Sequence, residues 1–359
     1  MSEAEVLVAV EGAVGRLTLN RPAALHALTT EMVRAMTRAL LAWRDDLAIE
    51  AVLIDHAGER GFCAGGDIRF LAESGAHGGA AAREFFFEEY RLNELLFSYP
   101  KTVVAVMDGI TMGGGVGISL PAAYRIGTER TAFAMPETGI GLFPDVGGGW
   151  HLSRLHGAVG AWLALTGARL KAADCELLGV TTDVIESAGL PKFKADLIAR
   201  PGEIEEILTE LEWDPGPSPI AGHRDAIDAL FDHDTVEAIF DALEADGSEW
   251  AAAQLAILKT KSPLSMKTAL RELREGASMT SFADEMVQEM RIAARIVVSH
   301  DFAEGVRAVI VDKDNAPHWH PPRLEGVTDQ LLDAVFAPLP PEQEWSPIGA
   351  SPVHGGGGP

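Results

Sequence analysis

A chain of 359 residues, 47% hydrophobic and 23% charged, carries enough core material for one large α/β domain with appendages or for two domains, and its composition excludes wholesale disorder. Fifty-three acidic residues against 29 basic ones leave a formal net charge of -24, a field that repels a nucleic-acid backbone, so nucleic acid is not expected as a partner. The only cysteines, Cys63 and Cys175, are too few and too widely spaced for a disulfide framework or a cysteine-based zinc site.

The N-terminus, MSEAEVLVAVEGAVGRLTLN, has no basic region followed by a long apolar run, since Glu11, Arg16 and the glycines interrupt it. No secretory signal is expected, and a reducing cytoplasm fits best. Within it EVLVAV and GRLTLN are predicted as strands. Thr30 is expected to cap a helix through Trp43, on which Met32, Met36, Leu40 and Trp43 recur at helical spacing. AVLIDHAG follows as a buried strand. The long helical stretch AAREFFFEEYRLNELLFSY then precedes KTVVAVMDG, whose β-branched run ends at a glycine and opens into ITMGGGVGISL. Strand, helix and strand in repetition predict parallel strands joined by crossover helices.

Beyond about residue 155 the segments AVGAWLALTG, AADCELLG, HRDAIDALFD and DEMVQEMRIAARIVVS all carry helical periodicity, so the second half is predicted to be mainly helical. LEWDPGPSPIAGH, rich in Pro and Gly, is expected as a surface loop. From Ala337 onward, APLPPEQEWSPIGASPVHGGGGP lacks any period and is expected to be a flexible tail. Nowhere do eighteen apolar residues run uninterrupted, so no membrane span is predicted.

Three stretches could carry chemistry. GFCAGGDIRF follows a predicted strand and places two adjacent glycines where backbone can approach a ligand. DGITMGGGVGISL resembles a dinucleotide loop but fails the G-x-G-x-x-G spacing and lacks an acidic ribose partner. Together the two loops offer exposed backbone N–H groups, the second set at a helix start whose dipole favours negative charge. Such a pair can hold a developing oxyanion, and one donor of this kind is commonly worth around 3 kcal/mol in the transition state. The third stretch, FAMPETGIGLFPDVGGGWHL, sets Glu137 and Asp145 on loops constrained by Pro136 and Pro144 rather than on a charged helix face. Helix capping or loop hydrogen bonding is the alternative use of such acids.

Other candidates are weaker. No G-x-S-x-G elbow is present. His318 and His320 in HWH are surrounded by Pro317, Pro321 and Pro322 and have no H-E-x-x-H beside them, which favours packing over metal binding. Cys63 has no identifiable histidine partner. Lys101, Lys259, Lys261 and Lys313 are candidates for phosphate contacts only as lone lysines, which are usually solvated.

FCAGGDIR, PKTVVAVMDGITMGGGVGIS and FAMPETGIGLFPDVGGG, in this order, resemble the crotonase (enoyl-CoA hydratase/isomerase) superfamily, which binds acyl-CoA thioesters. Within it, EEYRLN, SPLSMKTALREL and HDFAEGVRAVIVDKD resemble the 3-hydroxyisobutyryl-CoA hydrolase branch, so the resemblance spans about residues 5 to 325. It implies a crotonase-like α/β spiral of ββα units over residues 1–190, a helical C-terminal region over 191–336 completing the fold, and the tail over 337–359. It further implies an oxyanion hole from the N–H groups of Gly66 and Gly114, and CoA contacts near Ala24, His26, Ala64, Asp67 and Ile68. His26 departs from the Asn found in many relatives.

In the hydratases of this superfamily two glutamates add water across a double bond. The first would fall here at Gly117, which has no side chain, while Asp145 stands where hydratases carry a small residue. The resemblance therefore implies hydrolysis of a thioester, 3-hydroxyisobutyryl-CoA of valine catabolism above all. Glu137 would attack directly or activate water, Asp145 would bind the substrate hydroxyl and assist proton transfer, and Glu89 would contribute to the acyl pocket. An enoyl-CoA hydratase or isomerase, or a non-catalytic CoA-binding paralogue, are the alternatives. CoA enters as part of the substrate, and neither a cofactor nor a metal is expected. Relatives assemble as trimers or dimers of trimers, so a homo-oligomer is the implied assembly.

Overall fold

The computed structural model of the chain describes residues 4–349. In chain order the first elements are β1 (Val6–Glu11), β2 (Val14–Leu19), α1 (Thr30–Arg44), β3 (Ala51–His56), β4 (Gly61–Cys63), α2 (Ile68–Ala76) and α3 (Ala80–Phe97). They continue with β5 (Thr102–Met107), β6 (Ile110–Met112), α4 (Gly114–Gly117), β7 (Tyr124–Gly127), β8 (Ala132–Ala134) and β9 (Asp183–Val184). The remainder is helical apart from β9 among the described residues, as the change in periodicity predicts. Thr29, not Thr30, caps α1, because its hydroxyl is the one spaced to accept from the Met32 N–H, at 3.2 Å.

Two sheets are woven from alternate strands. The larger runs β1-β2-β3-β5-β7-β9 and the smaller β4-β6-β8, and every pairing except β1 with β2 is parallel. Each of the successive pairs β3/β4, β5/β6 and β7/β8 adds one strand to each sheet, which is the spiral expected from the sequence. β3 is buried at every position, as a strand covered on both faces requires. Its buried Asp55 is tolerated because Arg16 and Lys194 each approach one carboxylate oxygen at 2.7 Å and the Thr18 hydroxyl donates at 2.6 Å.

The chain folds into two compact units that interleave in sequence rather than dividing near residue 190. The first contains residues up to Asp67, Leu96–Met135 and Ala168–Ala229, and holds both sheets. Here Val104, Val106 and Ile126 share one core with Leu190, Phe193 and Leu197 of the helix Leu190–Ala199, so this helix, nearly all of which falls in the expected C-terminal region 191–336, packs with the sheet. The second unit contains Ile68–Leu95, Pro136–Gly167 and the chain from Leu230 onward. Burial of distant apolar stripes, not sequence proximity, sets this division.

The expected flexible tail is packed in its described part. Within the second unit Trp345 is buried and donates to the Phe87 carbonyl (3.2 Å), Arg91 donates to the Ser346 carbonyl (2.9 Å), and Arg291 pairs with Glu344 at 3.0 Å. A segment without period can still be ordered when a Trp and a carboxylate find partners elsewhere in the chain. Residues 350–359 of the expected tail lie outside the described residues.

Candidate active site

In the first unit the loop after β4 lies beside the start of α4, the two places from which Gly66 and Gly114 are expected to donate. Leu28 bridges to this loop, its N–H donating to the Gly65 carbonyl (2.8 Å) while its carbonyl accepts from the Asp67 N–H (3.0 Å). In this parallel bridge the neighbours of Gly66 face Leu28, so the Gly66 N–H points to the opposite side. Gly113 has φ +47° and Gly114 begins a single helical turn, where the first N–H groups have no intrahelical acceptor. The two loops are adjacent: a Cβ built on Gly65 would lie 3.7 Å from the Gly114 nitrogen. Gly115 permits this, because a Cβ there would stand 2.4 Å from the Cys63 carbonyl oxygen.

In the second unit three acids meet. Glu137 opens the one-turn helix Glu137–Ile140 behind Pro136, and Asp145 follows Pro144 in the next turn. Both are 4% exposed. The Asp145 Oδ2 accepts from the Tyr90 hydroxyl at 2.9 Å, and Glu89, beside Tyr90 on α3, is buried as well. Oε2 of Glu137 and Oε1 of Glu89 have no hydrogen-bond partner among the described residues, an arrangement that buried carboxylates rarely keep without a ligand or water to complete it.

Burial dominates the electrostatics. It raises the Glu137 carboxyl well above the usual carboxylate range, the Asp145 charge adding to the effect, while Lys261 and the residue's own backbone N–H oppose it. Burial likewise raises Asp145 to about 7, opposed by the Tyr90 hydrogen bond. Glu89 is raised by burial and by the Asp145 charge. Burial raises all three acids, and the Asp145 charge raises the other two further, an environment of the kind that tunes carboxyl groups for proton exchange.

The loop carrying Asp145 is held in an uncommon shape. Val146 has φ +57°, a left-handed conformation costly for a β-branched residue, and Gly147 follows at φ +90°. The buried Glu289 stabilises it by accepting from the Gly147 N–H, at 2.8 and 3.1 Å to its two oxygens, and from the Val146 N–H. Sequence reasoning missed Tyr90 and Glu289. Both stand at positions of their helices where the periodicity calls for burial, the one available signal, but nothing in the local sequence names the loop they touch. Lys261, a candidate for CoA phosphates, instead lies along the Glu137 turn, where a Cβ on Gly139 would come 3.3 Å from its Nζ. Lys101 closes the end of α1 by donating to the Trp43 and Asp46 carbonyls, and Lys259 pairs with Glu244.

The residues implied for CoA contact distribute as follows. Ala24, His26, Ala64 and Asp67 lie in the first unit with Gly66 and Gly114, whereas Ile68 opens α2 in the second unit with Glu89, Glu137 and Asp145. His26 is buried, its Nδ1 accepting from the Arg21 N–H (3.0 Å) and its other nitrogen bonded to the Ala57 backbone, while its own N–H donates to the Arg21 carbonyl (2.9 Å) and its carbonyl accepts from the Cys63 thiol (3.2 Å), so its groups are engaged within the protein. Asp67 forms an ion pair with Arg21 at 3.1 Å, and the Ala64 N–H is spent on the Leu25 carbonyl. In HWH, the His320 N–H donates to Asp301 and the His318 carbonyl meets His300, in keeping with a packing role.

Comparison with known proteins gives a consistent result. Residues 14–336 match the family described as Enoyl-CoA hydratase/isomerase. The chain is 43% identical over 347 residues to the 3-hydroxyisobutyryl-CoA hydrolase, mitochondrial, of Gallus gallus, covering 94% of this chain and 90% of that protein. Among solved structures, a carnitinyl-CoA dehydratase from Mycobacterium thermoresistibile superposes with a TM-score of 0.92 at 41% identity, covering 97% of this chain and 100% of that one. An enoyl-CoA hydratase from Rhodobacter sphaeroides 2.4.1 superposes at 0.88 with 37% identity, covering 96% and 100%.

Proposed function

The chain belongs to the enoyl-CoA hydratase/isomerase family, and from that premise we propose that it hydrolyses a short 3-hydroxyacyl-CoA thioester, 3-hydroxyisobutyryl-CoA above all, to the hydroxy acid and CoA. The observation that carries this reading is the buried meeting of Glu137 with Asp145, together with a glycine at position 117, where a hydratase would need its other glutamate. The relative's name supports the same reaction, and a place in valine catabolism is proposed from the family resemblance alone.

The thioester oxygen accepts from the N–H groups of Gly66 and Gly114, which stabilise the charge that grows there as the carbonyl carbon becomes tetrahedral. Ionised Glu137 either attacks that carbon, forming a mixed anhydride that water then opens, or removes a proton from the water that attacks. In both routes the C–S bond breaks as the tetrahedral oxyanion collapses, and the CoA sulfur leaves to take up a proton. Asp145 binds the substrate hydroxyl and assists that transfer. These steps draw on protein groups alone.

Incubation with 3-hydroxyisobutyryl-CoA and with crotonyl-CoA tests the reading. Release of free thiol from the first supports hydrolysis; loss of enoyl absorbance from the second, with no thiol released from either, would establish a hydratase instead. A protein that binds acyl-CoA tightly in calorimetry but turns over neither ester would be a non-catalytic paralogue. Gly115→Ala is expected to cost about tenfold in kcat, since its methyl group must push α4, and Gly114 with it, off the Cys63 carbonyl. A normal kcat in a folded variant would remove Gly114 from the mechanism.

Among the described residues no helix is long and apolar enough to cross a membrane. A reducing compartment is proposed, which the two buried free cysteines fit; the sequence reading favours the cytoplasm, whereas the relative from Gallus gallus is named mitochondrial. Homo-oligomeric assembly is proposed from the family resemblance, and the net charge argues against nucleic acid.

A further inference from the structure

We propose that Asn93 is a specificity residue whose side-chain amide donates a hydrogen bond to the hydroxyl group on the substrate's acyl chain. The inference rests on the hydrolase reading above and deepens it. The buried stripe of α3 is apolar at Ala82, Phe85, Phe86 and Leu92 but is interrupted by Glu89 and Asn93. Asn93 is 0% exposed, and neither its Oδ1 nor its Nδ2 has a hydrogen-bond partner among the described residues. A leucine would fill this position at less cost, so an unsatisfied amide here calls for a group that completes it.

Helix geometry says where that group lies. Asn93 is four residues after Glu89 and three after Tyr90, one turn further along the face that both occupy. Side chains on a helix lean toward its N-terminus, which tilts the Asn93 amide back over the turn carrying those two residues. Tyr90 in turn donates to Asp145 at 2.9 Å, and the Glu89 Oε1 is unpaired. A hydroxyl group bound by a carboxylate gives up its one proton and still needs a donor for its oxygen. Among the polar groups of this helix face Asn93 alone supplies an uncommitted N–H: Glu89 is an acid, and the Tyr90 hydroxyl is already engaged.

The test compares 3-hydroxyisobutyryl-CoA with isobutyryl-CoA, which lacks only the hydroxyl, in the wild type and in Asn93→Leu. The des-hydroxy ester is scored by kcat/KM or, where it is not turned over, by its competitive inhibition constant. The expected result is that preference for the hydroxy ester falls about tenfold, the effect of one lost hydrogen bond, with the isobutyryl ester handled as well as before or better. Asn93→Ala serves the same comparison should the leucine variant misfold. Equal losses on both esters, or an unchanged preference, with the wild type active, would overturn the Asn93 assignment alone. A wild type that cleaves no thioester would sink the hydrolase reading and this proposal with it.

Discussion

Exchanging Glu137 for glutamine is expected to lower kcat for thioester hydrolysis at least about a hundredfold while leaving the protein folded. Glutamine has nearly the same shape, and a neutral amide is easier to bury than an acid that lies 4% exposed beside Asp145. What it cannot do is attack a carbonyl carbon or take a proton from water. The loss should therefore fall on kcat more than on KM, because CoA and the acyl chain still bind. Steady-state thiol release from 3-hydroxyisobutyryl-CoA measures it. A variant with near-normal turnover would exclude Glu137 from both routes.

Asp145→Asn should cost at least about tenfold in kcat/KM on the hydroxy ester and should also make the protein more stable above neutral pH. Burial raises this carboxyl to about 7 from its ordinary 3.8. Between those values the folded protein holds a proton that the unfolded chain has released, so folding is favoured at low pH and loses that advantage as pH rises through about 7. The shift corresponds to roughly 4 kcal/mol once the group is ionised, by the equivalence of one pKa unit to about 1.4 kcal/mol. Asparagine removes this burden and keeps an oxygen to accept from Tyr90. Its melting temperature should match the wild type near pH 4 and exceed it increasingly toward pH 8; parallel curves would show that Asp145 is not the buried acid described. Glu89 and Glu137 are raised by burial too, so wild-type stability should decline over the same range. Wild-type kcat/KM should rise with pH as these acids ionise, because the attack needs a carboxylate.

Much of the first unit was legible because its signals are local. Apolar, β-branched runs that end close to a glycine name strands such as AVLIDH and TVVAVM, and the loops FCAGGDIR and MGGGVGIS name the candidate donors Gly66 and Gly114. Glu137 and Asp145 were visible for a similar reason: acids between prolines and glycines have no helix face to belong to. Tyr90, Asn93 and Glu289 were not legible as site residues. On their helices they count only as members of a buried stripe, and what they face depends on turns contributed by residues 50 to 150 positions away.

The amino-acid sequence by itself determined the strand and helix periods, the glycines required where backbones approach closely, and the two acids set among prolines and glycines, since each follows from the conformational or chemical character of residues within a few positions of one another. Only the tertiary structure decided that Asp145 is bonded by Tyr90 and that the Val146–Gly147 turn is backed by Glu289, that the helix Leu190–Ala199 belongs to the sheet's core, and that Trp345 anchors the segment after Ala337. Those outcomes depend on which apolar surfaces exclude water together and on how far from water each carboxyl is left. Both are sums over the whole chain, which no short stretch of it can report.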